Sequence, residues 1–336
     1  MPDLTVIPGV LLDNNESPRM IEIVQFESSY KSGWDDFIRK SKNGSFLFYR
    51  DYMEYHSDRF QDSSFLFFKD DVLIAVMPAN VSSGVLYSHK GLTFGGIISN
   101  KQMKIELMLG LVACLMEHLN EQRITTWIYK AVPHIYHVCP AEEDLYALFR
   151  YDARLIRRDV SSTIRLAEQI GFSKNKRRRI KQGEREGLTV RRNSDFKEFM
   201  SIQEAVLREN YDTRPTHTAT EIESLARRFP ENIKLFAAYK QQLMTGGIIV
   251  YETGRVAHIQ YVASNSLGKR IGAVESILDY LINDYYSDKD YFDFGISTEM
   301  GGAYLNCGLA AYKEGFGART IAYDTYQINV ANNEPL

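Results

Sequence analysis

The sequence predicts an α/β protein of the mixed-sheet kind: two modules in tandem, each a mixed, mostly antiparallel sheet flanked by helices. Three observations carry this expectation. The chain has 336 residues, 44% of them hydrophobic, more apolar material than a single core of ordinary size absorbs. Its second half runs β, α, α, β, β, β, α, β, α, β by hydrophobic period, and the first half is a degraded copy of that order. A three-strand meander followed by a crossover helix and a parallel strand makes a mixed sheet with a cleft where two strands splay.

Residues 1–20 show neither period and hold Pro8, Asn14, Asn15 and Pro18, so they read as a loose tail. Residues 21–26 suit a strand, 33–40 a short helix around Trp34 and Phe37, and 50–58 a second one. Two aromatic-rich runs, 64–68 and 72–80, flank Lys69, Asp70 and Asp71 and predict a hairpin. After the glycines at 91–96, residues 102–122 place Met108, Leu111, Val112, Leu115 and Leu119 on one helical face. A strand over 125–129 and a helix over 142–149 close the first module, expected to span 21–165.

A basic linker helix is expected within 166–188 and the second module over 189–330. There, a strand over 189–192 precedes helices over 195–208, with Ser194 as its cap, and 220–229, ending before Pro230. Strands over 233–239, 245–251 and 256–263 follow, then a helix over 271–285 with Ile271, Val274, Ile277, Leu278 and Leu281 on its stripe. A strand over 291–294, a helix over 303–314 and a strand over 320–328 complete the order.

Lys plus Arg number 40 and Asp plus Glu 43, so no global charge drives the chain toward nucleic acid or membrane, and any polyanion binding must be local. Cys114, Cys139 and Cys307 lack the paired spacings of a zinc or redox site, and no metal is signalled. The N-terminal residues lack the basic start and apolar core of a secretory signal, and the longest apolar stretch is too short to span a bilayer. A cytoplasmic location is expected.

Near the C-terminus stand Phe292-Asp293-Phe294-Gly295-Ile296-Ser297-Thr298-Glu299 and Gly308-Leu309-Ala310-Ala311-Tyr312-Lys313-Glu314-Gly315-Phe316-Gly317-Ala318. They resemble the pattern of the Fem-type aminoacyltransferases of the GNAT superfamily and their relatives in polysaccharide gene clusters: an Asp-Phe-Gly turn after a strand, then Gly-Leu-Tyr-x-Phe-Lys-x-x-Phe-Gly-Gly. Ala310, Tyr312 and Ala318 replace the family's Tyr, Phe and second Gly. The resemblance implies a tandem GNAT fold over roughly residues 21–328, and for Lys313 a catalytic role in holding donor or transition-state negative charge. The alternative for Lys313 is a helix lysine snorkelling over Tyr312.

Between a predicted strand and helix, Ser266-Leu267-Gly268-Lys269-Arg270-Ile271-Gly272-Ala273 stands where GNAT enzymes keep the loop that offers backbone N–H groups to the pyrophosphate of acetyl-CoA. Gly272 fits that pattern, Leu267 and Arg270 depart from it, and Ala273, next in line, is a further candidate donor contact. The expectation is weak acetyl-CoA binding, or another phosphate held by Lys269 and Arg270. His217, beside Arg214 in a loop between helices, has a pKa range suited to deprotonating an acceptor, or is simply exposed before a capping threonine. His258 is a cleft base or a core histidine, and Glu299 is a further candidate base. Asp293 and Ser297, in the turn, and Arg214 are candidate substrate contacts. Lys176 and Arg177, in the run Lys174 to Lys181, are candidate phosphate ligands or part of a solvated face. By resemblance, His89 and Lys90 border the acceptor site.

The function implied is transfer of an acyl or aminoacyl group onto an amine or hydroxyl of a sugar, nucleotide-linked or lipid-linked, in polysaccharide or cell-wall precursor synthesis. No tightly bound cofactor is expected, and the donor is acyl-CoA or aminoacyl-tRNA. The alternatives are a Fem-type peptidyltransferase using aminoacyl-tRNA and a binding protein that has kept the fold without catalysis.

Overall fold

A computed structural model describes residues 21–56, 58–211 and 213–330, so the tail expected over 1–20 lies outside the described residues. The first half contains β1 (Ile21–Gln25), α1 (Lys31–Lys40), α2 (Arg50–Met53), β2 (Phe65–Lys69), β3 (Val72–Met77), β4 (Asn80–Ser82), β5 (Val85–Tyr87), β6 (Ile98–Ser99), α3 (Ile105–Glu121), β7 (Thr126–Lys130), α4 (Glu143–Arg150) and β8 (Arg154–Arg165). The second contains α5 (Lys174–Arg185), β9 (Leu188–Asn193), α6 (Phe196–Tyr211), α7 (Ala219–Arg228), β10 (Ile233–Lys240), β11 (Leu243–Glu252), β12 (Val256–Ser264), α8 (Ser266–Ile271), α9 (Ala273–Tyr280), β13 (Tyr291–Ile296), β14 (Thr298–Glu299), β15 (Tyr304–Leu305), α10 (Cys307–Glu314) and β16 (Arg319–Asn329).

The two halves share strands. A four-stranded sheet, β1-β2-β3-β6, belongs to the first half, while ten strands join both halves in the order β4-β5-β7-β16-β8-β13-β12-β11-β10-β9. The last strand of each half has crossed to the other: β16 pairs with β7, β8 pairs with β13, and β8 and β16 run antiparallel with Arg319 opposite Thr163 and Gln327 opposite Arg154. Ten strands is near the limit for an open twisted sheet.

Local chemistry accounts for most elements. The stripe of α3 is buried from Met108 to Leu119, and Thr218 with Glu221 forms a capping box that starts α7. Helix α5 begins at the Ser173 cap and packs against α9, burying Lys176, Ile180 and Gly183. An aromatic seam holds the halves together: Phe46 lies 5.8 Å from Phe229 and 5.5 Å from Tyr251, ring centre to ring centre.

Several boundaries differ from the sequence expectation. The helix expected over 50–58 keeps one α-turn, 50–53, before tightening to a 3₁₀ turn. The helix over 271–285 starts at Ala273, because Gly272 adopts φ +85°, and ends in a π turn over 281–285. The helix over 303–314 starts at Cys307, after the small β14–β15 hairpin. Strand β8 was not expected: residues 154–158 are exposed and mostly charged, and the buried part carries Ser161, Ser162 and Thr163, so no apolar alternation marks it.

Candidate active site

Strands β12 and β13 pair in parallel only at Val256 with Tyr291, Ala257 with Phe292, and His258 with Asp293, and then separate. Opposite β12, strand β11 shifts register between Ile249 and Val250, leaving Gln260 unpaired as a bulge. The splay thus begins at a histidine and an aspartate.

Asp293 is fully buried. Its Oδ1 accepts from Ser161 Oγ at 2.5 Å and Thr163 Oγ1 at 2.8 Å, both on β8. Its Oδ2 accepts from Tyr323 OH at 2.7 Å and lies 2.7 Å from His258 Nδ1, with Tyr136 OH at 3.4 Å. Burial by itself raises the carboxyl, but His258, Ser161 and Tyr323 outweigh it and hold the group at about 2. An ionised carboxylate fixes the imidazole with its proton on Nδ1, which leaves Nε2 as the basic nitrogen. The His258 side chain retains 14% exposure, so reagents can reach it.

Two residues on, Gly295 adopts φ +77° and turns the chain; its N–H faces Asp293 Oδ1 at 3.4 Å. Lys313, buried on α10, donates to the carbonyls of Gly295 at 2.8 Å and Ile296 at 2.7 Å. Burial lowers its ammonium to about 8, partly offset by Asp293. Lys313 therefore braces the turn, whereas the sequence expectation gave it contact with reacting charge. Asp293 likewise has its oxygens occupied by protein donors, so it orients His258. Ser297 follows the turn, buried, with no hydrogen-bond partner on its Oγ.

The other candidates fall into separate groups. His217 is buried, contrary to a simple exposed loop; its Nδ1 lies 2.6 Å from Tyr261 OH, and its ring stacks on Tyr55. Tyr261 is on β12, so His217 and His258 line the same strand, while Arg214 is exposed. Glu299 is exposed and accepts from Asn306. His89 is buried against Phe60, and exposed Lys90 lies over the Tyr87 ring, both in the first half.

The expected phosphate loop is itself a helical turn, α8. Its Gly268, Lys269 and Gly272 amides bond to Asn265 Oδ1, the Asn265 carbonyl and the Gly268 carbonyl, respectively. Arg179 of α5 donates to the carbonyls of Lys269 and Arg270, and Gln182 also donates to Arg270. A Cβ on Gly272 would meet the Arg179 carbonyl at 2.6 Å, so α5 closes on this turn. Ala273 is buried, and Glu275 in the first turn of α9 stands 3.8 Å from Lys176 Nζ. Those three amides are not displayed for a pyrophosphate. Lys176 itself is buried over the Tyr312 ring at 3.0 Å and lowered by burial to about 8, which removes it as a surface phosphate ligand; Arg177 and the side chains of Lys269 and Arg270 are exposed.

Sequence reasoning missed Tyr136, Tyr323, Ser161, Thr163 and Glu275, and read Arg179 only as part of the basic run, not as the brace of the α8 turn. The Ser161-Ser162-Thr163 run beside an apolar Ile164 was the available signal for a buried polar cluster. Among the described residues, no group of three or more His, Cys, Asp or Glu is arranged to hold a metal, and no helix is long and apolar enough to cross a membrane.

Residues 171–314 match the family described as acetyltransferase (GNAT) domain. No curated protein matches the sequence. Among solved structures the chain is similar to FemX, with a TM-score of 0.66 over 92% of this chain and 98% of that one at 11% identity. It is similar to the C-terminal domain (DUF2156) of a putative lysylphosphatidylglycerol synthetase from Agrobacterium fabrum, with a TM-score of 0.59, 13% identity, and coverage of 91% of this chain and 92% of that one. A tandem GNAT protein from the clavulanic acid biosynthesis pathway is similar with a TM-score of 0.50 at 10% identity, over 94% of this chain and 100% of that one. At these identities the likeness is one of fold, a tandem GNAT arrangement. The matched segment contains His258, Asp293 and Lys313.

Proposed function

We propose that the protein transfers an acyl group at the splay of β12 and β13, with His258 as the base that takes a proton from the acceptor. The observation that carries this reading is the His258–Asp293 pair: a buried, ionised carboxylate 2.7 Å from Nδ1 of a reachable imidazole. An amine attacks the acyl carbonyl, a C–N bond forms, and Nε2 accepts the N–H proton. As the carbonyl re-forms, the bond to the donor's sulfur or oxygen breaks and the proton passes to the leaving atom. The turn braced by Lys313 keeps Gly295 and the strand end in place, so holding both substrates in register is the larger part of the work.

The acceptor we infer is an amine or hydroxyl of a sugar, nucleotide-linked or lipid-linked, in surface polysaccharide or cell-wall precursor synthesis in the cytoplasm. The sequence resemblance to the Fem-type enzymes supports it. GNAT enzymes use acyl-CoA as a donor substrate; here the spent amides of α8 favour a donor phosphate gripped by the exposed side chains of Lys269 and Arg270.

The test is acetyl-CoA consumption by the purified protein with a panel of aminosugars and nucleotide-linked aminosugars, repeated with His258→Ala. Transfer that depends on His258 supports the reading. Transfer undiminished in His258→Ala overturns it.

A further inference from the structure

We infer that Tyr136 and Tyr323 are positioning residues, a chain of two buried hydroxyls through which the first half sets the hydrogen bonding of the His258–Asp293 pair in the second. The inference rests on His258 being the base and goes beyond it, since it makes the site incomplete without the first half.

The two oxygens of Asp293 have separate retinues. Oδ1 takes Ser161 and Thr163, while Oδ2 takes His258 and Tyr323. Tyr136 OH lies 3.1 Å from Tyr323 OH and 3.4 Å from Oδ2. An ionised carboxylate only accepts, so Tyr323 donates to Asp293, and Tyr136 donates to Tyr323 or directly to Oδ2. Burial raises both phenols well above their ordinary range, so they remain donors.

The two hydroxyls come from distant parts of the chain. Tyr136 lies in a 3₁₀ turn, His134–Tyr136, just after β7; Tyr323 lies on the exchanged strand β16. Phe94 packs against both rings, at 4.5 Å and 6.3 Å between centres, which holds the pair in register. The groups facing Asp293 are thus His258 from β12, Ser161 and Thr163 from β8, Tyr323 from β16 and Tyr136 from the 3₁₀ turn, with Lys313 of α10 acting through its charge.

The consequence is electrostatic. Each donor on Oδ2 satisfies part of the carboxylate's charge, so less remains to stabilise a protonated His258. Removing a donor strengthens the hold of Asp293 on the imidazolium, and His258 titrates at higher pH.

The experiment follows the imidazole nitrogens of His258 by NMR in the full chain, assigned with His258→Gln, across pH in wild type, Tyr323→Phe and Tyr136→Phe. Each variant removes one oxygen and keeps the ring. Tyr323→Phe is expected to move the His258 titration up by about one unit, and Tyr136→Phe by less, with the proton on Nδ1 in all three. The acid limb of the acetyl-CoA turnover profile should move by the same amount. A His258 titration unchanged in both variants overturns the proposal and leaves the tyrosines as packing. Because the titration needs no substrate, it is independent of turnover by His258→Ala, on which the acyl-transfer reading stands or falls.

Discussion

The same structural feature, a pair of parallel strands that separate, has opposite fates in the two halves. In the first half β5 and β7 pair from Val85 with Thr126 to Tyr87 with Ile128, and the gap beyond is then stitched shut. The Ser88 N–H donates to the Ile128 carbonyl, Lys130 N–H donates to Ser88 Oγ, and Gly95 N–H donates to the Lys130 carbonyl. Lys130 Nζ fills what remains, donating to the carbonyls of His89, Lys90 and Leu92. In the second half, among the described residues, no such plug crosses between β12 and β13, and the position is given to His258 over Asp293. One splay is closed by a lysine, and the other, on the proposed reading, is left for chemistry.

The largest effect expected from this contrast is on turnover. Asp293→Asn keeps the shape but offers His258 an amide, and acyl transfer should fall by about a hundredfold or more. Circular dichroism would confirm that the chain is folded. Full activity in Asp293→Asn would erase the functional difference between the halves.

Lys313→Ala comes next. It leaves two carbonyls at the Gly295 turn without their donor, so stability should drop by roughly 1–3 kcal/mol, read by urea unfolding, and turnover should fall less than in Asp293→Asn. A collapse of turnover with unchanged stability would instead put the ammonium in contact with the reacting atoms.

Arg270→Gly tests the donor grip. If the side chain holds a phosphate, acetyl-CoA affinity measured by calorimetry falls about tenfold. Unchanged or tighter binding would remove Arg270 from the site.

The smallest effect is a slope of stability with pH. Asp144 in the first half and Asp293 in the second are both buried, and their surroundings push them apart. Asp144 has mainly the Tyr129 hydroxyl and the Leu145 N–H against the cost of burial, which raises it to about 6, while Asp293 sits at about 2. A raised carboxyl contributes stability that is complete below its unfolded value and lost as pH rises through 6. A depressed one contributes stability that is complete above its unfolded value and lost as pH falls toward 2. Asp144→Asn should therefore flatten the fall of melting temperature between pH 4 and 7, and Asp293→Asn should flatten only the acid side.

The tandem α/β order was legible because meander strands such as 245–251 are short, continuously buried runs bounded by turns and the α3 stripe carries a clean helical period. The strand exchange was not, since β8 spends its buried positions on hydroxyls for Asp293 and its exposed ones on arginines. The site was legible in part. His258, Asp293 and Lys313 stand out as titratable residues near glycines, but their roles depend on which atoms face which. Tyr136 and Tyr323 are two of 21 tyrosines, and nothing in their neighbours along the chain distinguishes them from core residues. Arg270 signalled a departure from the usual phosphate loop; that Arg179 closes on the turn could be seen only in the packing.

The central claim, that chemistry belongs to the open splay and stability to the closed one, is tested most directly by measuring acyl transfer in His258→Gln beside Lys130→Met under identical conditions. The prediction is a loss of about a hundredfold or more for His258→Gln, and for Lys130→Met a lower melting temperature with turnover within about threefold of wild type. Turnover abolished by Lys130→Met in a folded protein, with His258→Gln still active, would contradict it.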